Sequence, residues 1–67
     1  MFLNADNFKE VIFDDGQRVE PIDIDVRQET QYLGCAPSHV LEISWLDRDG
    51  VLRSRMADQS TIRFVRK

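Results

Sequence analysis

The sequence predicts a small, mainly β fold, a strongly bent antiparallel sheet or barrel of about five strands with a short N-terminal turn or helix. Apolar and polar residues alternate in several short runs, which is typical of strands with one buried face. The pairs Asp15-Gly16 and Asp49-Gly50 separate such runs and predict two hairpins. Pro21 has no N–H to donate to a ladder, so it marks an edge or a bulge.

The N-terminal residues 1–8 place apolar side chains around Asn4 and Asp6. Either residue is suited to cap a single helical turn, because its side-chain oxygen accepts a hydrogen bond from a free backbone N–H. The segment is too short for an independently stable helix. We expect its aromatic residues to cover one open end of the core.

A first hairpin is predicted for residues 9–21, with residues 14–16 as a three-residue loop in which Gly16 takes the left-handed conformation. This register pairs Val11 with Val19. The resulting two faces are Val11, Phe13 and Val19 on the buried side, and Ile12 and Arg18 on the other.

Beyond Pro21 the buried positions change from odd to even numbers. Ile22, Ile24 and Val26 alternate with charged residues, as one inserted bulge residue would produce. Such a bulge bends a long strand so that it serves two sheets. Residues 28–39 then break the alternation, and this longest irregular stretch is a candidate functional loop.

The next strand contains the only tryptophan and buries Leu41, Ile43 and Trp45. Its hairpin has either a two-residue turn at Asp49 and Gly50 or a four-residue loop over residues 47–50. Both registers place the same residues of the return strand inside, namely Leu52, Ser54 and Met56.

A three-residue loop in this hairpin would place Arg53 and Arg55 beside Trp45. We reject that register at the sequence level because burying charge is unfavourable and a slip of one residue exchanges the two faces of a strand. The prediction is therefore that both arginines face solvent.

Residues 58–61 predict a short turn or one turn of 3₁₀ helix capped by Asp58 or Ser60. A closing strand follows over residues 61–65, with Ile62 and Phe64 on one face. In shape, strands joined in this way resemble an SH3-like or Sm-like barrel, by architecture alone. A two-layer sheet with a short N-terminal helix is the alternative. The predicted core contains Leu41, Ile43, Trp45, Leu52, Met56, Ile62 and Phe64.

The length of 67 residues predicts a single domain over residues 1–67 with a small core, since a chain of this size buries only about 60% of its unfolded surface. A single cysteine excludes an internal disulfide and indicates a reducing compartment. The sequence has neither an apolar run of membrane-spanning length nor the pattern of a signal peptide. We therefore expect a cytoplasmic protein.

The net charge of −3 conceals an asymmetry between the two parts of the chain. Residues 1–47 carry a balance of −7 and residues 48–67 a balance of +4. By strand parity, the arginines of the basic end point outward, and such a surface attracts a partner of opposite charge. The predicted partner-binding residues are Arg53, Arg55, Arg63 and Arg66, extended by Lys67.

Candidate catalytic and metal-binding residues are few. Asp47 and Asp49 superficially suggest a calcium loop, but the residues at its later ligand positions do not match. Cys35 and His39 share one loop without an orienting residue or an oxyanion loop, which favours a packed cysteine over a nucleophile. Asp23 and Asp25 share a strand face, where edge charges that prevent aggregation are the favoured interpretation. We predict neither catalysis nor a metal or other cofactor.

These features favour a noncatalytic binding module, a small intracellular regulator or inhibitor that docks on a larger protein. Open sheet edges are available for pairing with such a partner. The alternative is a small nucleic-acid-binding barrel that uses the C-terminal arginine face; base stacking by Trp45 is disfavoured, because strand parity turns its ring toward the core. The acidic sequence pI of about 4.9 counts against that alternative.

Overall fold

The computed structural model describes residues 4–30 and 38–67, which form six strands and two short 3₁₀ helices. The 3₁₀ helices are Ala5–Asn7 and Gln59–Thr61. The strands are β1 Phe8–Ile12, β2 Arg18–Val19, β3 Asp23–Thr30, β4 Ser38–Leu46, β5 Leu52–Asp58 and β6 Arg63–Arg66.

The strands form two antiparallel sheets of three strands each, which we call sheet 1 and sheet 2. Sheet 1 has the order β2-β1-β6, and sheet 2 has the order β3-β4-β5. The mainly β prediction is confirmed. No strand of one sheet pairs with a strand of the other within residues 4–30 and 38–67, so the described strands do not close a barrel.

The core lies between residues of both sheets. Its fully buried residues are Val11, which belongs to sheet 1, and Leu41 and Ile43, which belong to sheet 2. Trp45 faces this core as predicted, but it is only partly buried, with its ring centre 5.9 Å from that of Phe13. The remaining buried members are Ala5, Phe8, Phe13, Val19, Ile24 and Ile62.

The first hairpin has the predicted register. Val11 pairs with Val19, and the N–H of Phe13 donates to the carbonyl of Gln17 across a three-residue loop (2.8 Å). Gly16 has φ of +91°, a left-handed conformation that glycine adopts without steric penalty. Asp15 accepts a hydrogen bond from the N–H of Gln17 and so supports the turn.

Pro21 lies where the chain passes from sheet 1 to sheet 2, as its position in the sequence predicts. β2 ends before it and β3 begins after it, and the N–H of Ile22 donates to the carbonyl of Ser44 (2.8 Å). The bulge in this part of the chain is found farther on, between Val26 and Gln28 in β3.

The prediction that Ile22, Ile24 and Val26 are all buried is wrong for two of them. Ile24 is buried, whereas Ile22 and Val26 are half exposed. β3 is an edge strand with a neighbour on one side only, so the small core covers its middle and leaves its flanks open.

The predicted loop over residues 28–39 is shorter in the structure. Gln28 belongs to β3 and His39 to β4, and the ladder between these strands continues to the pair Thr30 and Ser38. Cys35 and the rest of residues 31–37 lie outside the described residues.

The second hairpin has the register that sequence reasoning rejected. Leu46 pairs with Leu52, and the N–H of Asp47 donates to the carbonyl of Val51 across a three-residue loop (3.0 Å). Gly50 has φ of +77°, so both hairpins carry their glycine at the same loop position. The prediction that Leu52 and Met56 are buried is therefore wrong, since they are 62% and 54% exposed.

Two sets of contacts explain this register, one within the loop and one between β5 and the first hairpin. The Asp47 carboxylate accepts hydrogen bonds from the N–H groups of Asp49 and Val51, which fixes the three-residue loop. The guanidinium of Arg55 then lies over the ring of Phe13, 4.5 Å from the ring centre, and 3.0 Å from the carboxylate of Asp15. The charge is never buried without a partner, so the expected penalty does not arise.

The chain ends of the described fold agree with the prediction. Asn4 caps the first 3₁₀ helix by accepting from the N–H of Asp6, and Asp58 caps the second by accepting from the N–H of Ser60. In β6, Phe64 is partly buried and lies 4.9 Å, centre to centre, from the ring of Phe8. The residues 1–3 lie outside the described range.

Candidate binding surfaces

The four arginines predicted as one partner-binding face are divided between two sheets. Arg53 and Arg55 lie in β5 of sheet 2, on the side of the sheet that carries Trp45 and Ile43. Arg63 and Arg66 lie in β6 of sheet 1. The expectation of a single exposed arginine face is wrong, because it rested on a two- or four-residue loop in the second hairpin, and the observed loop has three residues.

Arg55 links the second sheet to the first hairpin. Its guanidinium lies 4.5 Å from the ring centre of Phe13 and 3.0 Å from the carboxylate of Asp15. It also contacts Asp14 at 3.5 Å and donates to the side-chain oxygen of Gln17 at 2.9 Å. Because all these partners belong to the same chain, we infer that Arg55 stabilises the fold.

Arg53 is also paired within the protein, through its Nε at 2.9 Å from a carboxylate oxygen of Asp47. The pKa of Asp47 is lowered by the hydrogen bond from the N–H of Val51 and then by Arg53. In the same way, the N–H of Gln17 and then Arg55 lower the pKa of Asp15. Both carboxylates are thus held in their charged form opposite the two arginines.

Arg63 and Arg66 differ from these two. Arg63 is exposed on the outer side of sheet 1. It pairs across the β1–β6 ladder with Ile12, and Ile12 pairs across the β1–β2 ladder with Arg18. Arg66 lies over the ring of Phe8 at 5.8 Å. Neither forms an ion pair with any carboxylate in the part of the chain that the structure describes.

A cleft opens beside Phe8, where the start of β1, the Pro21 corner and the end of β4 meet. We call it the basic cleft. Lys9 is one of its lining residues, and the ladder between β1 and β6 is interrupted at this residue by a bulge between Phe8 and Glu10. The cleft encloses about 240 Å³ and is lined by Phe8, Lys9, Glu20, Pro21, Ile22, Leu46 and Lys67.

A second surface is the outer side of the β4–β5 hairpin, which we call the leucine face and define by Leu46, Leu52 and Met56. Leu46 and Leu52 are direct cross-strand partners, and each side chain is more than half exposed. Sequence reasoning missed this face because the wrong loop length turned Leu52 and Met56 inward. Leu46 belongs to both surfaces, which makes the leucine face continuous with the basic cleft.

The remaining candidates have simple structural roles or lie outside the described residues. Asp25 lies on the outer side of sheet 2 with Arg27 at 3.9 Å, and Arg27 also contacts Glu42 at 2.7 Å. Glu42 raises the pKa of Arg27 through this hydrogen bond. No group of three metal-ligating side chains occurs in the described ranges, and Cys35, the thiol partner suggested for His39, is not among them.

Comparisons with protein family models, curated proteins and solved structures find no match to this chain. Among the residues described, no helix has the length and apolar character needed to cross a membrane. The surfaces of the protein are therefore the basis on which its function is inferred.

Proposed function

We propose that this chain is a noncatalytic binding module, a small cytoplasmic regulator or inhibitor that docks on a larger protein. The observation that supports this proposal is the leucine face. Three large apolar side chains, those of Leu46, Leu52 and Met56, are exposed on the outer side of one hairpin. Contiguous exposed apolar surface in a small protein is typical of interaction sites.

The proposed centre of docking is the leucine face, in place of Arg53 and Arg55. Arg53 and Arg55 are engaged with carboxylates of their own chain, whereas Arg63 and Arg66 keep their charge available to a partner. Apolar side chains at the centre and charged ones at the rim are the usual arrangement of a protein interface. The proposed site therefore combines the leucine face with the cations beside the adjoining basic cleft.

The test is capture of proteins from the native cell extract with wild-type protein and two matched variants, measured by quantitative mass spectrometry. The double variant Leu52→Lys with Met56→Lys changes the leucine face, and Val26→Lys changes a comparably exposed apolar residue on β3. We expect wild type and Val26→Lys to retain the same protein and the double variant to lose it. Equal capture by all three folded proteins contradicts docking through this face.

The nucleic-acid alternative uses the same C-terminal cations. In its favour, three cationic residues lie close together in the sequence, namely Arg63, Arg66 and Lys67. Against it, Trp45 packs on the core instead of offering a free ring for stacking. Binding to single-stranded oligonucleotides that weakens steeply with salt would favour this alternative over protein docking.

A further inference from the structure

The basic cleft combines an apolar floor with a cationic rim, and this pairing indicates the chemistry of its ligand. Phe8 and Pro21 are buried at the floor, while Ile22 and Leu46 present half-exposed side chains at the walls. The enclosed volume of about 240 Å³ is below the range of about 300–1,000 Å³ that is typical of clefts for drug-sized ligands, so the cleft has room for a side chain and not for such a ligand. The floor suits an apolar side chain.

The rim carries more positive than negative side chains. Lys9 and Lys67 line the cleft, and Arg66 lies over the Phe8 ring that forms its floor. Among the described residues that line the cleft, Glu20 is the only one with an acidic side chain. None of the three cations has an ion-pair partner within the described residues, so they remain available to carboxylates of a partner.

We propose that the basic cleft receives an extended segment of a protein partner in which an apolar side chain is flanked by carboxylates. The apolar side chain contacts Leu46, Ile22 and the Phe8 ring, and the carboxylates meet Lys9, Lys67 and Arg66. This inference rests on the proposed function, because it specifies the partner of a binding module. It adds that the apolar anchor and the flanking charges both contribute to affinity, and that the charges also select among partners.

An acidic peptide fits this cleft better than a nucleic acid does. A phosphate backbone would satisfy the cations, but it would leave the aliphatic walls formed by Ile22 and Leu46 uncovered. Glu20 would also lie against the phosphates, whereas a peptide N–H can donate to it. The chemistry of the floor therefore decides in favour of the peptide.

The experiment titrates the ¹⁵N-labelled protein with an acetylated and amidated hexapeptide, Asp-Glu-Leu-Phe-Glu-Asp, and follows amide shifts by NMR. The largest changes are expected at Phe8, Lys9, Ile22 and Leu46. A matched peptide with Asn and Gln in place of Asp and Glu keeps the apolar anchor without the charge, and we expect it to bind at least about tenfold more weakly.

The variant Lys9→Glu with Lys67→Glu should raise the Kd of the acidic peptide at least about tenfold, while Arg48→Glu, a charge reversal at an exposed hairpin tip, should change it less than about twofold. Shifts located elsewhere, equal binding of the neutral peptide, or no binding overturns the inference. Displacement of the peptide by a single-stranded oligonucleotide of higher affinity overturns it as well, in favour of nucleic acid. If the peptide fails while the leucine-face variant still loses its captured protein, only this inference fails and the docking proposal stands.

Discussion

Arg55 shows how a charged residue occupies a position that a sequence pattern assigns to the core. Its side chain is about one third exposed, with the guanidinium over the face of Phe13 and beside two carboxylates of the first hairpin. The attraction between a cation and the electron-rich ring face adds to the ion pairs. Arg55 therefore connects the two sheets without burying an unpaired charge.

Replacing Arg55 with Ala should lower stability, because the contact over the Phe13 ring alone is worth about 1 kcal/mol. For a domain of this size, that corresponds to a fall in Tm of roughly 4–8 °C. Thermal unfolding followed by circular dichroism measures it, with Arg48→Ala as a control that removes an arginine from an exposed loop. A Tm that falls equally in both variants would contradict the linking role of Arg55.

Asp15 and Asp47 should make stability depend on pH at the acidic end. Hydrogen bonds from backbone N–H groups, followed by the neighbouring arginines, lower the pKa of both carboxyls below the ordinary value of 3.8. A lowered pKa in the folded state gives stability that is complete above the unfolded value and is lost as pH falls through the folded value. Stability should therefore decrease below about pH 4.

The measurement is Tm between about pH 6 and pH 2 for wild type and for Asp15→Asn with Asp47→Asn. Asparagine still accepts from backbone N–H groups but carries no charge to titrate, so the curve of the double variant should be shallower. All other carboxyls are common to both proteins, and the difference between the curves isolates these two. Parallel curves would show that neither carboxylate is linked to folding.

The two hairpins show which parts of an element can be predicted from sequence. In the first, the loop residues and the apolar alternation indicate the same register, and the prediction is confirmed. In the second they conflict, because Leu52 and Met56 suggest an inward face while Asp47 fixes a three-residue loop. The loop determines the register. The available signal was the Asp-Gly pair that ends both loops, which indicates the same loop length in each.

Substitution of either loop glycine should lower stability because of the backbone conformation alone, and not because of a steric clash. Gly16 and Gly50 have positive φ, and a Cβ added at either position would meet no atom within 4 Å. A β-branched residue is strained in this conformation, whereas Asn tolerates it. Gly50→Val should therefore lower the free energy of unfolding by roughly 1–2 kcal/mol, and Gly50→Asn by clearly less.

Urea unfolding of the two Gly50 variants provides the comparison. Equal destabilisation by Val and Asn would indicate that loss of glycine flexibility, not the left-handed backbone, is responsible. The same pair of substitutions at Gly16 is an internal repeat, because the two loops share their geometry.

On the scale of the whole molecule, sequence reasoning reaches the fold class but not the candidate site. The alternation of apolar residues identifies most strands, and Pro21 marks the change of sheet. The basic cleft is different, since its lining residues come from four separate parts of the chain and no local pattern connects them. The two-sheet arrangement brings together Phe8, Pro21 and Leu46, so the site follows from topology.

Paired substitutions in β4 and β5 test the whole arrangement. Ile43 is fully buried between the sheets, and Ile43→Ala should cost about 2–5 kcal/mol, enough to unfold most molecules of a marginal domain. Leu52 faces solvent across from Leu46, and Leu52→Ala should change stability by less than about 0.5 kcal/mol. Urea unfolding of both variants, followed by the emission of Trp45, measures the two effects together.

The register with a two- or four-residue loop would make Leu52→Ala nearly as damaging as Ile43→Ala, because Leu52 would then lie in the core. A large loss of stability in Leu52→Ala would thus refute the three-residue loop, and with it the leucine face on which the docking proposal depends.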